Sequence, residues 1–304
     1  MHEIILTTNQ AGRRFDRFLF SYLPNASHSL VYKLLRKKRI KLNGRRATGS
    51  EITAAGDIAA FYLSPETLQG FVDIKKTAPR NYGAVDVIHE DENILLVNKP
   101  AGLLTHSDKQ GGQDNLIDRI IYYLYAEAPP DDFKPSVCNR LDRNTSGLVV
   151  CGKNMAAVQA LNAVFANRMV EKTYLAVVCG CLKGSGILRG RLIKNESENR
   201  SYVTESGAEA HTEYEAVKTG SKFSLVKIKL HTGRHHQIRA HLADFGCPVA
   251  GDVKYGGERM EKKRNRLMLH AFSLKFCNNE IMPPYLAGRE WQALQPSDFT
   301  EVIK

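Results

Sequence analysis

The sequence predicts an α+β protein in which a small α+β unit precedes a larger part built on a mixed, largely antiparallel sheet with short helices. Two observations predict this class. Short apolar runs typical of strands dominate from Ala84 onward, whereas helical periodicity is confined to a few brief stretches. The composition, with 43% hydrophobic and 25% charged residues, is that of an ordinary globular protein and excludes a disordered, collagenous or coiled-coil chain.

The sequence gives no sign of a membrane or disulfide-bonded protein. No apolar stretch approaches the roughly 20 residues needed to span a bilayer, and the first ten residues lack the basic and apolar regions of a signal peptide. The six cysteines have no CxxC spacing, so we expect reduced thiols and no metal at Cys179-Leu-Cys181. We therefore expect a cytoplasmic protein without a membrane partner, and we also expect a monomer.

The first predicted unit covers residues 1–63. Its apolar residues recur with helical spacing in two stretches, of which the first is ended by Pro24 and the second has Ser29 as its predicted N-cap. Two apolar runs near turn signals predict short strands. The predicted elements are helices over 14–23 and 29–35 and strands over 40–42 and 58–63.

Residues 64–83 contain Pro65, Pro79 and Gly83 without sustained periodicity, which predicts a linker. The second unit then covers residues 84–304. Its predicted elements are strands over 85–89, 94–97, 148–151, 170–178, 223–230 and 267–276 and helices over 115–124 and 154–165.

Positive charge is concentrated in the first unit. Residues 1–60 contain 11 Lys and Arg against 4 Asp and Glu, a net +7 out of the +11 of the whole chain. No acidic residue occurs between residues 29 and 46, although solvated faces usually mix both signs. We therefore predict that the cations of this stretch bind nucleic acid. They are Lys33, Arg36, Lys37, Lys38, Arg39, Lys41, Arg45 and Arg46.

The segment 231–241, HTGRHHQIRAH, is the richest in candidate functional groups. Four histidines suggest a metal site, but no nearby carboxylate completes a usual ligand set, so we predict no metal. The alternative is a turn that leads into a short helix, whose arginines suit contacts with phosphate or carboxylate. We predict Arg234 and Gln237 as substrate contacts. Because the chain has no glycine-rich nucleotide loop, we predict no nucleotide cofactor.

A second candidate segment is 139–147, NRLDRNTSG. In an extended chain Arg140 and Asp142 share one face, whereas Leu141 points towards the core. A basic and an acidic group would then lie in one pocket. The same residues also suit an ordinary polar turn, and residue types alone do not decide between the two interpretations.

Five segments, in order, resemble the pseudouridine synthases of the RluA-like family, which act on large-subunit ribosomal RNA. They are ENILLVNKPAGLLTH, NRLDRNTSGLVV, KTYLAVVCG, TGRHHQIRAHLADFGCPVAGDVKYG and RLMLHAFSLKF. The segments FDRFL, SLVYKLLRKKRIKLNG and AGD, within 13–63, resemble the small RNA-binding module named after ribosomal small-subunit protein S-four. One position departs from the enzyme family, which commonly has histidine where this chain has Asn139. This departure affects a positioning contact and not the reaction.

The resemblance implies an isomerase that breaks the bond between ribose and uracil, rotates the base and joins carbon 5 to the ribose, without a cofactor or metal. It assigns the catalytic carboxylate to Asp142 and the cation that accompanies it to Arg239. It assigns to Tyr174 a stacking ring and a hydroxyl for proton transfer, and to Arg140 a contact around the flipped nucleotide. Large-subunit ribosomal RNA is the favoured substrate, and transfer RNA is the alternative.

Two rival functions remain open from the sequence. A hydrolase of glycosidic bonds usually needs two carboxylates about 5 to 9.5 Å apart, and Asp252 is the candidate for the second. A non-catalytic RNA-binding factor is disfavoured because the RLD, KTY and QIR triplets are intact.

Overall fold

A computed structural model describes residues 1–72, 82–107, 114–125, 133–260 and 266–303. It confirms the α+β class, with one small and one large sheet. No helix within these residues is both long and apolar enough to cross a membrane.

The first unit is a four-stranded antiparallel sheet packed against three helices. Its core includes Phe15, Phe18 and Leu19, which project from one face of the first helix and are at most 1% exposed. Asn43 and Gly44 both have positive φ and form the tight turn between two strands. The strands are β1 (His2–Ile5), β2 (Ile40–Leu42), β3 (Arg45–Arg46) and β4 (Ile58–Phe61), in the order β1-β4-β2-β3, and the helices are α1 (Phe15–Tyr22), α2 (His28–Arg36) and α3 (Pro65–Val72).

Two details of this unit differ from the prediction. The N-cap of α2 is Ser27, whose hydroxyl accepts a hydrogen bond from the Leu30 amide, so the predicted cap Ser29 lies inside the first turn. Helix α3 occupies the first half of the predicted linker because Leu68 is buried in the core of the first unit. Residues 73–81 of the predicted linker lie outside the described residues, and the division into domains stays a prediction.

The second unit is built on a large mixed sheet. Its strands are β5 (Val87–Glu90), β6 (Ile94–Lys99), β7 (Ser136–Val137), β8 (Ser146–Gly152), β9 (Val170–Cys179), β10 (Ser185–Asn195), β11 (Arg200–Thr204), β12 (Ala208–Thr219), β13 (Phe223–Leu230), β14 (Leu269–Phe276) and β15 (Glu290–Gln292). Its helices are α4 (Leu116–Tyr125), α5 (Met155–Ala166), α6 (Gln237–Asp244), a short 3-10 helix (Val253–Tyr255) and α7 (Asp298–Glu301).

The strand order is β11-β10-β12-β13-β9-β14-β8-β6-β5, with β15 beside β14 and β7 beside β8. Only the β8–β14 pair is parallel among the described strands. Strand β8 is buried along its whole length, because α5 packs on it through Leu161 while Val149 faces the cluster that includes α4. The centre of the sheet is therefore β9, β14 and β8, and the segment 139–145 leads directly into β8.

Replacing Gly147 by alanine should disrupt the contact between β8 and β14. Gly147 has φ +115°, and a Cβ atom there would lie 2.2 Å from the carbonyl oxygen and 2.6 Å from the nitrogen of Ala271. Because both are backbone atoms, the strands would have to separate. We expect the free energy of unfolding to fall by at least about 3 kcal/mol, measured by denaturant titration.

Gly246→Ala is the matched control. Gly246 has φ +81° but no heavy atom within 4 Å of the added Cβ, so only backbone strain of about 1–2 kcal/mol is expected there. Equal losses in the two variants would contradict the proposed steric limit at Gly147.

Candidate active site

A cleft of about 1220 Å³ opens beside the centre of the large sheet. Its wall includes the segments 104–107, 138–145, 230–239 and 251–254. All six residues predicted to act in catalysis or substrate binding line it, although they come from distant parts of the chain. They are Arg140, Asp142, Tyr174, Arg234, Gln237 and Arg239.

Hydrogen bonds to its backbone hold the turn that carries Asp142 in place. Leu141 is buried, as the alternation of side chains predicts, and its carbonyl and amide both bond to the hydroxyl of Thr105, at 2.8 and 3.3 Å. On the other side, the carbonyl of Arg143 accepts from the amide of Gly102 at 2.9 Å. Asp142 therefore projects into the cleft from a fixed backbone, with its side chain 31% exposed.

Asn139 anchors the start of this turn to β8. Its amide nitrogen donates to the carbonyl of Leu148 at 3.1 Å, and its amide oxygen accepts from the Val150 nitrogen at 2.8 Å. The side chain thus pairs with the strand as a backbone unit would. Asn139, which stands where the family commonly has histidine, therefore makes a structural contact in this chain.

Lys99 is a functional candidate that the sequence analysis did not single out. Its ammonium group is fully buried and donates to the carbonyls of Pro100, Leu103 and Arg143 at 3.0, 2.8 and 3.0 Å. Burial lowers the pKa of Lys99 to about 8, while the charge of Asp142 acts in the opposite direction. The ammonium thus ties the end of β6 to the Asp142 turn. The signals in the sequence are its position two residues after the predicted strand 94–97 and its place in the segment ENILLVNKPAGLLTH.

Arg239 lies between two carboxylates. Its Nε and Nη2 atoms donate to Asp252 at 2.6 and 2.8 Å, and its Nη1 atom lies 3.7 Å from Oδ2 of Asp142. Burial opposes the charge of the guanidinium, but the bonds to Asp252 prevail and raise its pKa. Asp252 is thus fully occupied by Arg239, which argues against its use as the second carboxylate of a hydrolase.

Tyr174 projects from β9 and packs against two apolar clusters of the sheet. Burial, reinforced by the charge of Asp142, raises the pKa of its hydroxyl above the ordinary value. The phenol therefore stays protonated at neutral pH. It can donate a proton or a hydrogen bond, and its ring can contact a base.

The four histidines of 231–241 face different partners. A turn leads into helix α6, as predicted, and only the adjacent His235 and His236 rings stack on each other, while each of the four side chains bonds to a different residue. The contacts are His231 to Glu213, His235 to Ser201, His236 to Tyr255 and His241 to Thr212. Within the described residues, no three His, Cys, Asp or Glu side chains are grouped as metal ligands.

Gln237 and Arg234 differ in their freedom to bind substrate. The amide of Gln237 accepts from Thr232 and from the Arg234 nitrogen and donates to the His211 carbonyl and to Thr212, so its hydrogen-bonding capacity is used inside the protein. Arg234 is exposed and uses Nε to bond to the carbonyl of Glu209. Gln237 thus supports the turn, whereas Arg234 retains free donors.

Five cations at the cleft were not predicted from the sequence, namely Arg143, Arg168, Lys172, Lys194 and Lys254. Lys172 lies two residues before Tyr174 on β9 and therefore on the same face of the strand. Burial lowers its pKa, and the neighbouring charge of Arg168 lowers it further. Lys194 and Lys254 add positive charge, which makes the cleft suited to an anionic ligand.

The eight basic residues between positions 29 and 46, predicted to bind nucleic acid, do not line this cleft. Seven of them are exposed, and Lys41 lies half-buried with its ammonium 4.8 Å from the ring centre of Tyr62. None of the eight pairs with an acidic side chain of the described ranges. They form a second cationic surface on α2 and the β2–β3 hairpin.

Asp252→Asn should destabilise the protein strongly. The substitution removes the negative charge that pairs with the buried guanidinium of Arg239. Removing one partner of a buried ion pair lowers the free energy of unfolding by about 3–5 kcal/mol. Asp298→Asn is a matched control, since Asp298 makes the same two-bond contact with Arg266 at 2.9 and 2.6 Å but is 21% exposed, against 2% for Asp252. For the control we expect the free energy of unfolding, measured by denaturant titration, to fall by about 1 kcal/mol. A loss of equal size in the two variants would contradict the role of burial.

Comparison with known proteins identifies the family. The family model described as RNA pseudouridylate synthase matches residues 93–244. The chain is 32% identical over 288 residues to ribosomal large subunit pseudouridine synthase C of Vibrio vulnificus, covering 91% of this chain and 88% of the relative. It is 31% identical to the protein of the same name from Rickettsia bellii, covering 98% of this chain and 100% of the relative.

The fold agrees with a solved structure, that of human RNA pseudouridylate synthase domain containing 4. The TM-score is 0.56 at 22% sequence identity, over 71% of this chain and 90% of the human one. The matched residues 93–244 include Asp142, Tyr174 and Arg239. The chain therefore belongs to the RNA pseudouridylate synthases, in their RluA-like branch, and is an enzyme that isomerises uridine in RNA.

Proposed function

We propose that this enzyme converts specific uridines of large-subunit ribosomal RNA to pseudouridine, with Asp142 as the catalytic carboxylate. The observation that carries the proposal is the state of the two carboxylates in the cleft. Asp252 is bound through both oxygens to Arg239, whereas the carboxylate of Asp142 forms no hydrogen bond of 3.5 Å or less with a described residue. The names of the curated relatives support ribosomal RNA as the substrate.

The reaction balances without a co-substrate. The bond between ribose C1′ and uracil N1 breaks, the base rotates, and a bond forms between C1′ and C5. The proton lost from C5 is matched by one gained at N1. Attack of the carboxylate on the sugar, attack on the base and removal of a sugar proton to give a glycal all need one free carboxylate at this place.

The residues around Asp142 support a flipped nucleotide. The ring of Tyr174 offers a surface for uracil, and its protonated hydroxyl is a donor for the proton transfers of the isomerisation. Arg140 is exposed at the cleft without a polar partner among the described residues, so it is free to contact the backbone or the space that the base leaves. Extrusion of a base costs a few kcal/mol, which such contacts offset.

The phosphates of the RNA would bind the two cationic surfaces. Lys172, Arg168, Lys194 and Lys254 suit the strand next to the target, and the basic surface of the first unit suits a more distant part of the RNA. We propose that residues 1–63 act as an RNA-binding domain joined through 64–83 to a catalytic domain over 84–304. Helix α3 extends the fold of the first domain to Val72.

Mapping of pseudouridines in cells without the gene tests the proposal. Complementation with the natural protein should restore one or more pseudouridines in large-subunit ribosomal RNA. Asp142→Asn should restore none, because the nearly isosteric amide lacks the reactive charge, while its affinity for RNA stays within about twofold. Restoration of sites in transfer RNA alone would replace the proposed substrate, and activity of Asp142→Asn above about a hundredth of the natural enzyme would contradict the role of Asp142.

The basic surface should act through phosphates and not through the target base. We consider replacing Arg36, Lys37, Lys38 and Arg45 by glutamine. The slope of the logarithm of the RNA association constant against the logarithm of salt concentration should become less steep by about 3, since each single-strand phosphate contact contributes about 0.7. Single-turnover rates at saturating enzyme should be unchanged. Glutamine at the acid-paired Lys153, Lys222, Lys229 and Arg191, which lie outside the cleft, provides a control of equal charge. An unchanged slope in the first variant would show that this surface does not contact RNA.

A further inference from the structure

His236 is placed unusually at the start of α6. It has φ 52° and ψ 24°, the left-handed conformation that favours glycine or asparagine. Its side chain is 8% exposed, its ring is stacked on His235 with the centroids 3.8 Å apart, and its Nε2 atom lies 3.6 Å from Oδ2 of Asp142. Strain of this kind concentrates at functional sites, and the imidazole is directed at the reactive carboxylate.

The hydroxyl of Tyr255 determines which nitrogen of His236 carries the proton. The backbone amide of Ser201 donates to this hydroxyl at 2.7 Å, and Nδ1 of His236 lies 3.0 Å from it. Within the described residues, Nδ1 is the one acceptor that the hydroxyl proton can reach. Nδ1 therefore accepts, and a neutral ring must carry its proton on Nε2.

The ring of His236 is neutral at physiological pH. Burial, together with the positive charge of Arg239, lowers the pKa of His236 to about 3. Tyr255 itself is held firmly, because the guanidinium groups of Arg200 and Arg239 each lie 4.8 Å from its ring centre. The chain of hydrogen bonds from the Ser201 amide through the Tyr255 hydroxyl to Nδ1 of His236 is thus fixed, and it leaves the proton of the ring on Nε2.

We propose that Tyr255 holds His236 in the Nε2–H form, so that His236 and Arg239 together hold Oδ2 of Asp142 and leave Oδ1 as the reacting oxygen. Both donors approach the same oxygen, at 3.6 and 3.7 Å. Such contacts tighten when substrate fills a site. His236 is a positioning residue in this account, which rests on the proposed role of Asp142.

Two substitutions of His236 separate positioning from a purely structural role. Asparagine tolerates the left-handed conformation and can place Oδ1 where Nδ1 lies, but it has no group that reaches Asp142. Glutamine is less suited to the conformation but can place an amide N–H near the position of Nε2. Positioning therefore predicts that glutamine restores activity, whereas a structural role predicts that asparagine is the better replacement.

The measurements are single-turnover rates at saturating enzyme, RNA affinity and thermal unfolding of the full chain. We expect His236→Asn to lose about 10- to 100-fold in rate with unchanged affinity, as displaced reacting groups do. His236→Gln should be at least fivefold faster than His236→Asn in spite of equal or lower stability. A rate for His236→Asn equal to or above that of His236→Gln would overturn the proposal.

Nitrogen NMR of the imidazole gives a readout that does not depend on activity. In the natural protein we expect a protonated Nε2 and an unprotonated Nδ1. Tyr255→Phe keeps the ring between the guanidinium groups and removes the hydroxyl, so the spectrum should show loss of this fixed state together with a slower rate. A protonated Nδ1 in the natural protein would overturn the inference even if the enzyme and Asp142→Asn behave as the proposed function requires. An active Asp142→Asn would instead remove the proposed function itself.

Discussion

The arrangement of the site depends on the buried guanidinium of Arg239. A charge in this position is costly to bury unless it is paired, and Asp252 provides the pair through two short bonds. The same group reaches Asp142 and stacks on Tyr255, so it joins α6, the segment 251–255 and the turn before β8. Because the guanidinium is planar and its donors are fixed in direction, the position of one carboxylate constrains that of the other.

Much of the fold follows from hydrophobic pattern alone. The predicted strand 223–230 has the bounds of β13, and the predicted helix 154–165 differs from α5 by one residue at each end. The strands β10, β11 and β12 were not predicted, because few of their residues are buried and some of these are polar, so no apolar run marks them. The buried residues are Leu192, Ser201, Ala210, Thr212 and Tyr214. Helix α3 was taken for part of a linker because the segment 64–83 contains Pro65, Pro79 and Gly83 and lacks sustained periodicity. Its contacts with the core of the first unit, through Leu68 and through the partly buried Phe71, stabilise it.

The site was predictable only in part. Alternation along 139–147 correctly places Leu141 in the core and Asp142 towards the cleft, and the family resemblance supplied Tyr174 and Arg239. Lys99 and His236 were missed because the contacts that connect them to the site are not local in sequence. Lys99 bonds to a carbonyl 44 positions away, and the tautomer of His236 depends on a hydroxyl 19 positions away. Periodicity carries no information about such contacts.

Insertion of β14 between β8 and β9 has a consequence for biosynthesis. Strand β14 comes late in the chain, yet among the strands that the structure describes it alone joins the part of the sheet that ends in β8 to the part that ends in β9. While the ribosome translates the residues between them, β9 lacks its partner along this edge, and β8 lacks one at Ser146 and Gly147, where β14 later pairs. The rest of this edge of β8 is already covered by β7 and by the side chain of Asn139. The nascent protein is therefore most exposed to mispairing and to chaperone capture just before its final segment emerges.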